Sequence, residues 1–287
     1  MNPDFILGTA QFGLDYGINN NYGQVSLEEV NKILTLANKF GINILDTAFS
    51  YGDAMDRIGN FHKSSNFCFK INTKFILDSD ISVSNQLKNS IERLGVSKID
   101  TYFFHSYSDF INNPNIVNEL IEIRNSGHFN KIGVSIYEND EMERCIYDEH
   151  IDVIQLPFNL LDNNNQRGNL ILLAKKYKKE VHVRSVFLQG LFFLDVKHLP
   201  LKLIPLTPYI LELQRIAKLV GINISDLALA YVKNQKGIDS IIIGVDSANQ
   251  LEKNFFSSNY ELDENIKDLI NKILVKETEL LNPRNWK

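Results

Sequence analysis

Eight short apolar runs recur along the 287 residues: FILGTA (5–10), INILDTA (42–48), FCFKINTKF (67–75), IDTYFFH (99–105), KIGVSI (131–136), DVIQLPFN (152–159), VHVRSVF (181–187) and DSIIIGV (239–245). They are rich in β-branched and aromatic residues, and most lack strict alternation of apolar and polar positions. That pattern suits strands buried on both faces, as in a parallel sheet. Between the runs lie amphipathic stretches. SLEEVNKILTLANKFG opens with a capping box from Ser26 to Glu29, places Val30, Ile33, Leu34 and Ala37 on one face, and ends at Gly41. SNQLKNSIERLG (84–95) repeats the design, and further helices fit 116–126, 139–148, 166–179, 208–220, 225–234, 247–254 and 263–281. Eight strands, each followed by a helix, predict an α/β chain closed into a (β/α)8 TIM barrel, a single domain over residues 1–287. The competing open sheet wants a Gly-rich phosphate turn, and no GxGxxG occurs.

Composition narrows the partners. An apolar content of 44% and a charged content of 23% suffice for a full core. A net charge of -5 offers nucleic acid or an anionic membrane no attraction, and the densest basic cluster, KKYKK at 175–179, reads as a solvated helix face. Cys68 and Cys145 form no CxxC and no metal-like group, so packed thiols in a reducing cytoplasm are expected. The chain shows neither a signal peptide nor an 18-residue apolar run, and nothing in it specifies an oligomeric state.

Active sites of such barrels form at the C-terminal ends of the strands. There the second run delivers Asp46, with Tyr51 on its loop; the third delivers Lys74; the fourth closes on His105. Singly, each has a bland reading: a turn, a packing aromatic, a solvated lysine, a satisfied core histidine. Together they put four titratable groups on three consecutive strands at one rim.

On these residues the chain resembles the aldo-keto reductase family over nearly its whole length. ILGTAQFG is similar to that family's first strand, LDTAFSYG to its Asp-to-Tyr-Gly signature, and NTK and FFH to its lysine and histidine strands. The resemblance implies a catalytic tetrad of Asp46, Tyr51, Lys74 and His105, and NAD(P)H-dependent reduction of an aldehyde or ketone. The chemistry is coherent. A free phenol, with a pKa of roughly 10, is a sluggish acid. An ammonium beside it is expected to lower that value, with Asp46 orienting Lys74 and His105 donating to the carbonyl oxygen.

By the same resemblance KIGVS, DVIQLPFN, RSVFLQG and SIIIGVDSANQLEKN contact the cofactor. Thr9 and Ala10 would lie at its edge, and Ser135 and Gln155 would bond the carboxamide. Ile136 replaces an asparagine common in the family. Arg184 stands where an aromatic ring usually stacks, its bland alternative being a barrel arginine paired with a carboxylate. Ser185, Phe187 and Gln189 would line the pyrophosphate, and the helix start at Gly244, Asp246, Gln250, Lys253 and Asn254 would receive phosphate. The family norm is NADPH, whereas Asp246 and the missing cations at 244–250 suggest NADH. Short loops leave room for a bulky or polar substrate, and with a polar rim of Asn112, Asn113, Asn163, Asn164 and Asn165 they point to a sugar-like or other hydroxylated carbonyl compound. Trp286 packs over the barrel or anchors a surface turn. Two other readings stay open: a Schiff-base aldolase using Lys74, and a nicotinamide-binding redox sensor with slow turnover.

Overall fold

The computed structural model describes residues 3–20, 23–77, 80–257 and 260–286. Eight parallel strands close a barrel in chain order: β1 (Asp4–Gly8), β2 (Ile44–Asp46), β3 (Lys70–Phe75), β4 (Ile99–Phe104), β5 (Phe129–Ser135), β6 (Val153–Pro157), β7 (Glu180–Arg184) and β8 (Ser240–Gly244). Closure comes from β1 pairing with β8, Asp4 opposite Ser240 through Gly8 opposite Gly244. Around it run α1 (Ala10–Gly13), α2 (Leu27–Lys39), α3 (Ala54–Ser64), α4 (Val83–Leu94), α5 (Tyr107–Asn112), α6 (Pro114–Asn125), α7 (Asn139–Tyr147), α8 (Asn164–Lys176), α9 (Thr207–Val220), α10 (Ile224–Lys233), α11 (Ala248–Ser257) and α12 (Glu264–Asn271). The expected (β/α)8 barrel is what forms, and one apolar core joins the strands to the inner faces of the helices.

The periodicity located most helices to within a few residues and missed three, the four-residue α1 and the longer α3 and α5. Helix α3 buries Ala54, Met55, Ile58, Gly59, Phe61 and His62. Glycine and histidine interrupt its apolar stripe, so no clean 3.6 period shows. His62 is satisfied locally: Phe69 N–H donates to its Nε2, and its Nδ1 lies 2.7 Å from the Leu94 carbonyl. Helix α5 occupies the expected loop after His105, capped by Ser106, which accepts from Asp109 N–H.

The single helix expected over 263–281 stops at Asn271, and short 3₁₀ turns follow at Thr278–Leu281 and Pro283–Trp286. The reason is Asn163. Its side-chain amide donates to the carbonyls of Ile270 and Ile273, at 3.1 and 3.0 Å, taking up the acceptors a helix end leaves open. Asn163 is fully buried, so it does not belong to a polar rim. The capping box on α2 is also half realised. Ser26 accepts from Glu29 N–H, but the Glu29 carboxylate leaves the box and accepts from Ala248 N–H at 2.8 Å, at the start of α11. Of the cysteines, Cys145 is buried, and Cys68 is exposed rather than packed; neither forms a disulfide. Among the described residues no helix is long and apolar enough to cross a membrane.

Candidate active site

Asp46 ends β2, and the neighbouring strand carries Lys74, two residues beyond the Asp46–Asn72 register pair. Both side chains are buried, with 4% and 2% exposure. Lys74 Nζ donates to Asp46 Oδ1 and, at 3.2 Å, to the Thr47 carbonyl. Burial pulls the lysine pKa down, and the adjacent carboxylate opposes that pull. The second carboxylate oxygen, Oδ2, accepts from Gln155 Nε2 on the far side of the barrel at 2.8 Å. Thr9 hydroxyl donates to the Asp46 carbonyl at 3.0 Å, tying the end of β1 to β2.

Tyr51 is set by a turn just beyond β2. Its N–H donates to the Ala48 carbonyl, and its own carbonyl accepts from Ala54 N–H. Two glycines make room for that turn. A Cβ on Gly13 would meet the Tyr51 carbonyl oxygen at 1.9 Å, and Gly52 holds φ +52 against the Gly13 carbonyl. Lys74 Nζ stands 5.7 Å from the Tyr51 ring centroid, and His105, just past β4, meets that ring edge-on at 6.1 Å. The four expected groups therefore converge.

Their electrostatics differ from expectation. Burial, followed by the Asp46 carboxylate, raises the Tyr51 pKa above its ordinary value. The expected net lowering is not the outcome, because burial is the largest effect on the phenol and the Asp46 carboxylate adds to it. The cations that oppose the rise are Arg184 and Arg284. Burial first, then Lys74, Arg284 and Arg184, depress His105 to about 3. Its imidazole is neutral at neutral pH.

On the opposite wall Ser135 and Gln155 are register partners on β5 and β6. Gln155 is fully buried and its Oε1 has no partner, an acceptor suited to an amide N–H₂. That donor set fits a nicotinamide carboxamide. Arg184 at the end of β7 donates to the Ile136 carbonyl at 3.1 Å and lies 4.3 Å from the Tyr137 ring centroid. Among the described residues it has no carboxylate partner, against the bland alternative. Ser185, Leu188 and Gln189 hold positive φ in the following loop. That loop is tied to the β1 side, where Gln189 accepts from Ile18 N–H and donates to the Tyr16 hydroxyl at 3.2 Å. Phe187 packs on Phe193.

Beyond β8 two backbone N–H groups of the segment expected to receive phosphate have side-chain partners. Gln250 side-chain oxygen accepts from Asp246 N–H, and Glu29 caps Ala248 N–H. Burial raises the Asp246 pKa, and its Oδ1 is buried without a partner. Lys253 and Asn254 lie on α11, with Lys253 exposed. No cluster of metal-ligating side chains occurs among the described residues.

A profile of the Aldo/keto reductase family matches residues 4–274. The chain belongs to the aldo/keto reductase family. It is 28% identical over 147 residues to "Oxidoreductase sirO" of Leptosphaeria maculans, a match covering 49% of this chain and 45% of that protein. The matched stretch thus spans less than half the length of that relative. It is 22% identical over 271 residues to the NADH-specific methylglyoxal reductase of Escherichia coli (strain K12), covering 79% of this chain and 82% of that one. The fold matches the glycerol dehydrogenase AKR11B4 of Gluconobacter oxydans with a TM-score of 0.74 at 18% identity, over 94% of this chain and 90% of that one.

Within this aldo/keto reductase, sequence reasoning overlooked Glu29, Tyr137 and Arg284. Glu29 was read only as a local cap, because its partner lies 219 positions away. Tyr137 sits two residues beyond Ser135 with no signal of its own. Arg284 lies in LNPRNWK, where the tryptophan drew the attention. Trp286 is in fact an anchor, donating from its indole to the Leu280 carbonyl at 2.8 Å.

Proposed function

We propose that the protein reduces an aldehyde or ketone to the alcohol, with Tyr51 as the proton donor. The observation that carries this reading is the buried Lys74–Asp46 pair beneath Tyr51, with His105 edge-on to the same ring. Ser135 and Gln155 would hold the carboxamide of a reduced nicotinamide, which would supply the hydride. The chain's own groups handle the oxygen. Because its pKa is raised, Tyr51 is a protonated phenol at neutral pH, ready to give its proton to an oxygen that is gaining negative charge. Neutral His105 donates one ring N–H toward that oxygen and so orients the carbonyl. Lys74, kept charged by Asp46, stabilises the phenolate that Tyr51 leaves behind.

The same pairing disfavours the aldolase reading, since an ammonium held by a carboxylate has no lone pair for a Schiff base. For the cofactor, Asp246 and Glu29 set two carboxylates where a 2′-phosphate would need cations, which favours NADH. The test is loss of nicotinamide absorbance with a panel of aldehydes and ketones. Tyr51→Phe is expected to lower the rate by ~10²–10⁴ while cofactor affinity changes only a few-fold. A Phe variant with full kcat removes Tyr51 from the mechanism. Tight cofactor binding without turnover on any carbonyl would support the sensor reading instead.

A further inference from the structure

Two guanidinium groups meet over one ring at the barrel mouth. Arg184 from the end of β7 lies 4.3 Å, and Arg284 lies 4.7 Å, from the Tyr137 ring centroid. The ring is held from both sides of its own peptide. Tyr137 N–H donates to the Glu141 carboxylate at 2.7 Å, and its carbonyl accepts from Arg167 at 2.6 Å. Arg167 is fixed in turn by the buried Asp162, with two contacts of 2.6 and 2.8 Å. Arg284 sits between two anchors, the buried Leu281 and the indole of Trp286. Its position is therefore set by the fold.

Neither guanidinium has a carboxylate partner among the described residues. Glu277 and Glu279 line an outer cleft together with Arg284, yet neither forms an ion pair with it. The Asp46 carboxylate is already engaged by Lys74 and Gln155. Two uncompensated positive charges thus face the tetrad in a chain whose net charge is -5. Arg184 ends β7 at the rim where β2, β3 and β4 deliver Asp46, Lys74 and His105, and Arg284 reaches that rim at the shared Tyr137 ring. Of the groups expected to line the pyrophosphate, Gln189 lies five residues on and donates to the Tyr16 hydroxyl, whereas Ser185 adjoins Arg184, its hydroxyl 3.4 Å from the guanidinium.

We propose that Arg184 and Arg284 form an oxyanion subsite beside Tyr51, and that the carbonyl substrate carries a carboxylate or phosphate group. The planar guanidinium suits both, since each presents oxygens that can take paired N–H donors. Tyr137 lies against both cations, its ring centroid 4.3 Å from Arg184 and 4.7 Å from Arg284. This inference rests on the carbonyl-reducing reading of the same site and names its substrate class.

The test compares matched substrates in wild type and Arg284→Gln, a substitution at an exposed residue. Succinic semialdehyde is set against butanal, and glyceraldehyde 3-phosphate against glyceraldehyde, to separate carboxylate from phosphate. Wild type should favour the charged member of at least one pair. Arg284→Gln should reduce that preference, expressed as a ratio of kcat/KM, by about 10–100-fold, the scale of one charge-assisted hydrogen bond. Calorimetric titration with succinate, with and without NADH, reads the subsite independently of turnover. Succinate binding that weakens in Arg284→Gln while NADH affinity holds supports the subsite. Equal use of charged and neutral substrates, an unchanged ratio in the variant, or a loss of NADH affinity in place of succinate affinity overturns it. If no carbonyl is reduced but succinate binding still depends on Arg284, the reductase reading falls and the subsite stands. If butanal is reduced and succinate does not bind, the reverse holds.

Discussion

Gln155 on β6 donates from its side-chain amide to Oδ2 of Asp46 on β2, 2.8 Å away across the barrel. The contact joins the wall that holds Ser135 to the wall that holds the tetrad. It also leaves Asp46 with a donor on each oxygen, Lys74 on one and Gln155 on the other.

Gln155→Leu removes one of those donors and leaves a buried carboxylate oxygen without a partner. The expected cost is about 1–3 kcal/mol of stability, measured by urea unfolding. The fall in kcat should exceed what Ser135→Ala causes, because Ser135 has no bond to Asp46. A Gln155→Leu protein as stable as wild type would show that the cross-barrel bond carries no weight.

Lys74→Met should do more harm to the fold than to the packing volume. It strands a buried Asp46 charge, at a cost of about 3–5 kcal/mol. Adding Asp46→Asn to the same chain should recover part of that loss, since the stranded charge is then gone. A double-mutant cycle in urea reads this directly. Strictly additive losses would mean that the two side chains are not coupled. The double variant should remain inactive, as no ammonium is left to support the Tyr51 phenolate.

His105 makes stability depend on acid. An unfolded imidazole titrates near 6.5, whereas in the fold His105 titrates at about 3. Between those values the unfolded chain holds the extra proton. The contribution of His105 is therefore full above about pH 6.5 and is lost as pH falls toward 3. His105→Gln should flatten that part of a Tm-against-pH curve. In wild type the kcat/KM profile should show no inflection near 6.5 from this group, and an inflection there that vanishes in His105→Gln would contradict a neutral histidine.

Cofactor choice should follow the charges at the start of α11. Asp246 has a buried, unpartnered oxygen and Glu29 caps Ala248 N–H, so NADH is expected to bind at least as well as NADPH. Asp246→Arg should shift the NADPH-to-NADH affinity ratio upward by about tenfold, which is roughly 1.4 kcal/mol. Glu29→Gln should move it the same way by less, as the cap is kept without its charge. Fluorescence titration with both cofactors measures this. A tenfold NADPH preference in wild type that Asp246→Arg leaves untouched would place the adenosine end elsewhere.

The barrel was legible because strands buried on both faces read as unbroken apolar runs, and helices with one buried face read as a 3.6-residue period. Asp46, Lys74 and His105 were legible for a related reason: each is a polar residue closing an apolar run, and parallel strands bring such ends to one rim. Helix α3 was not legible, because Gly59 and His62 on its buried face break the period. The sequence by itself determined the topology, the single domain and the convergence of Asp46, Tyr51, Lys74 and His105 at one rim, all of which depend on local pattern and strand order. Only the tertiary structure decided who neutralises whom. Burial and the Asp46 carboxylate decide the Tyr51 pKa, which rises despite the Lys74 ammonium beside it. Glu29 closes a helix end 219 positions away that was expected to take a phosphate. Arg284 arrives over Tyr137 from a segment with no strand at all. Charges act through space, and their balance depends on distance and burial, which chain order does not encode.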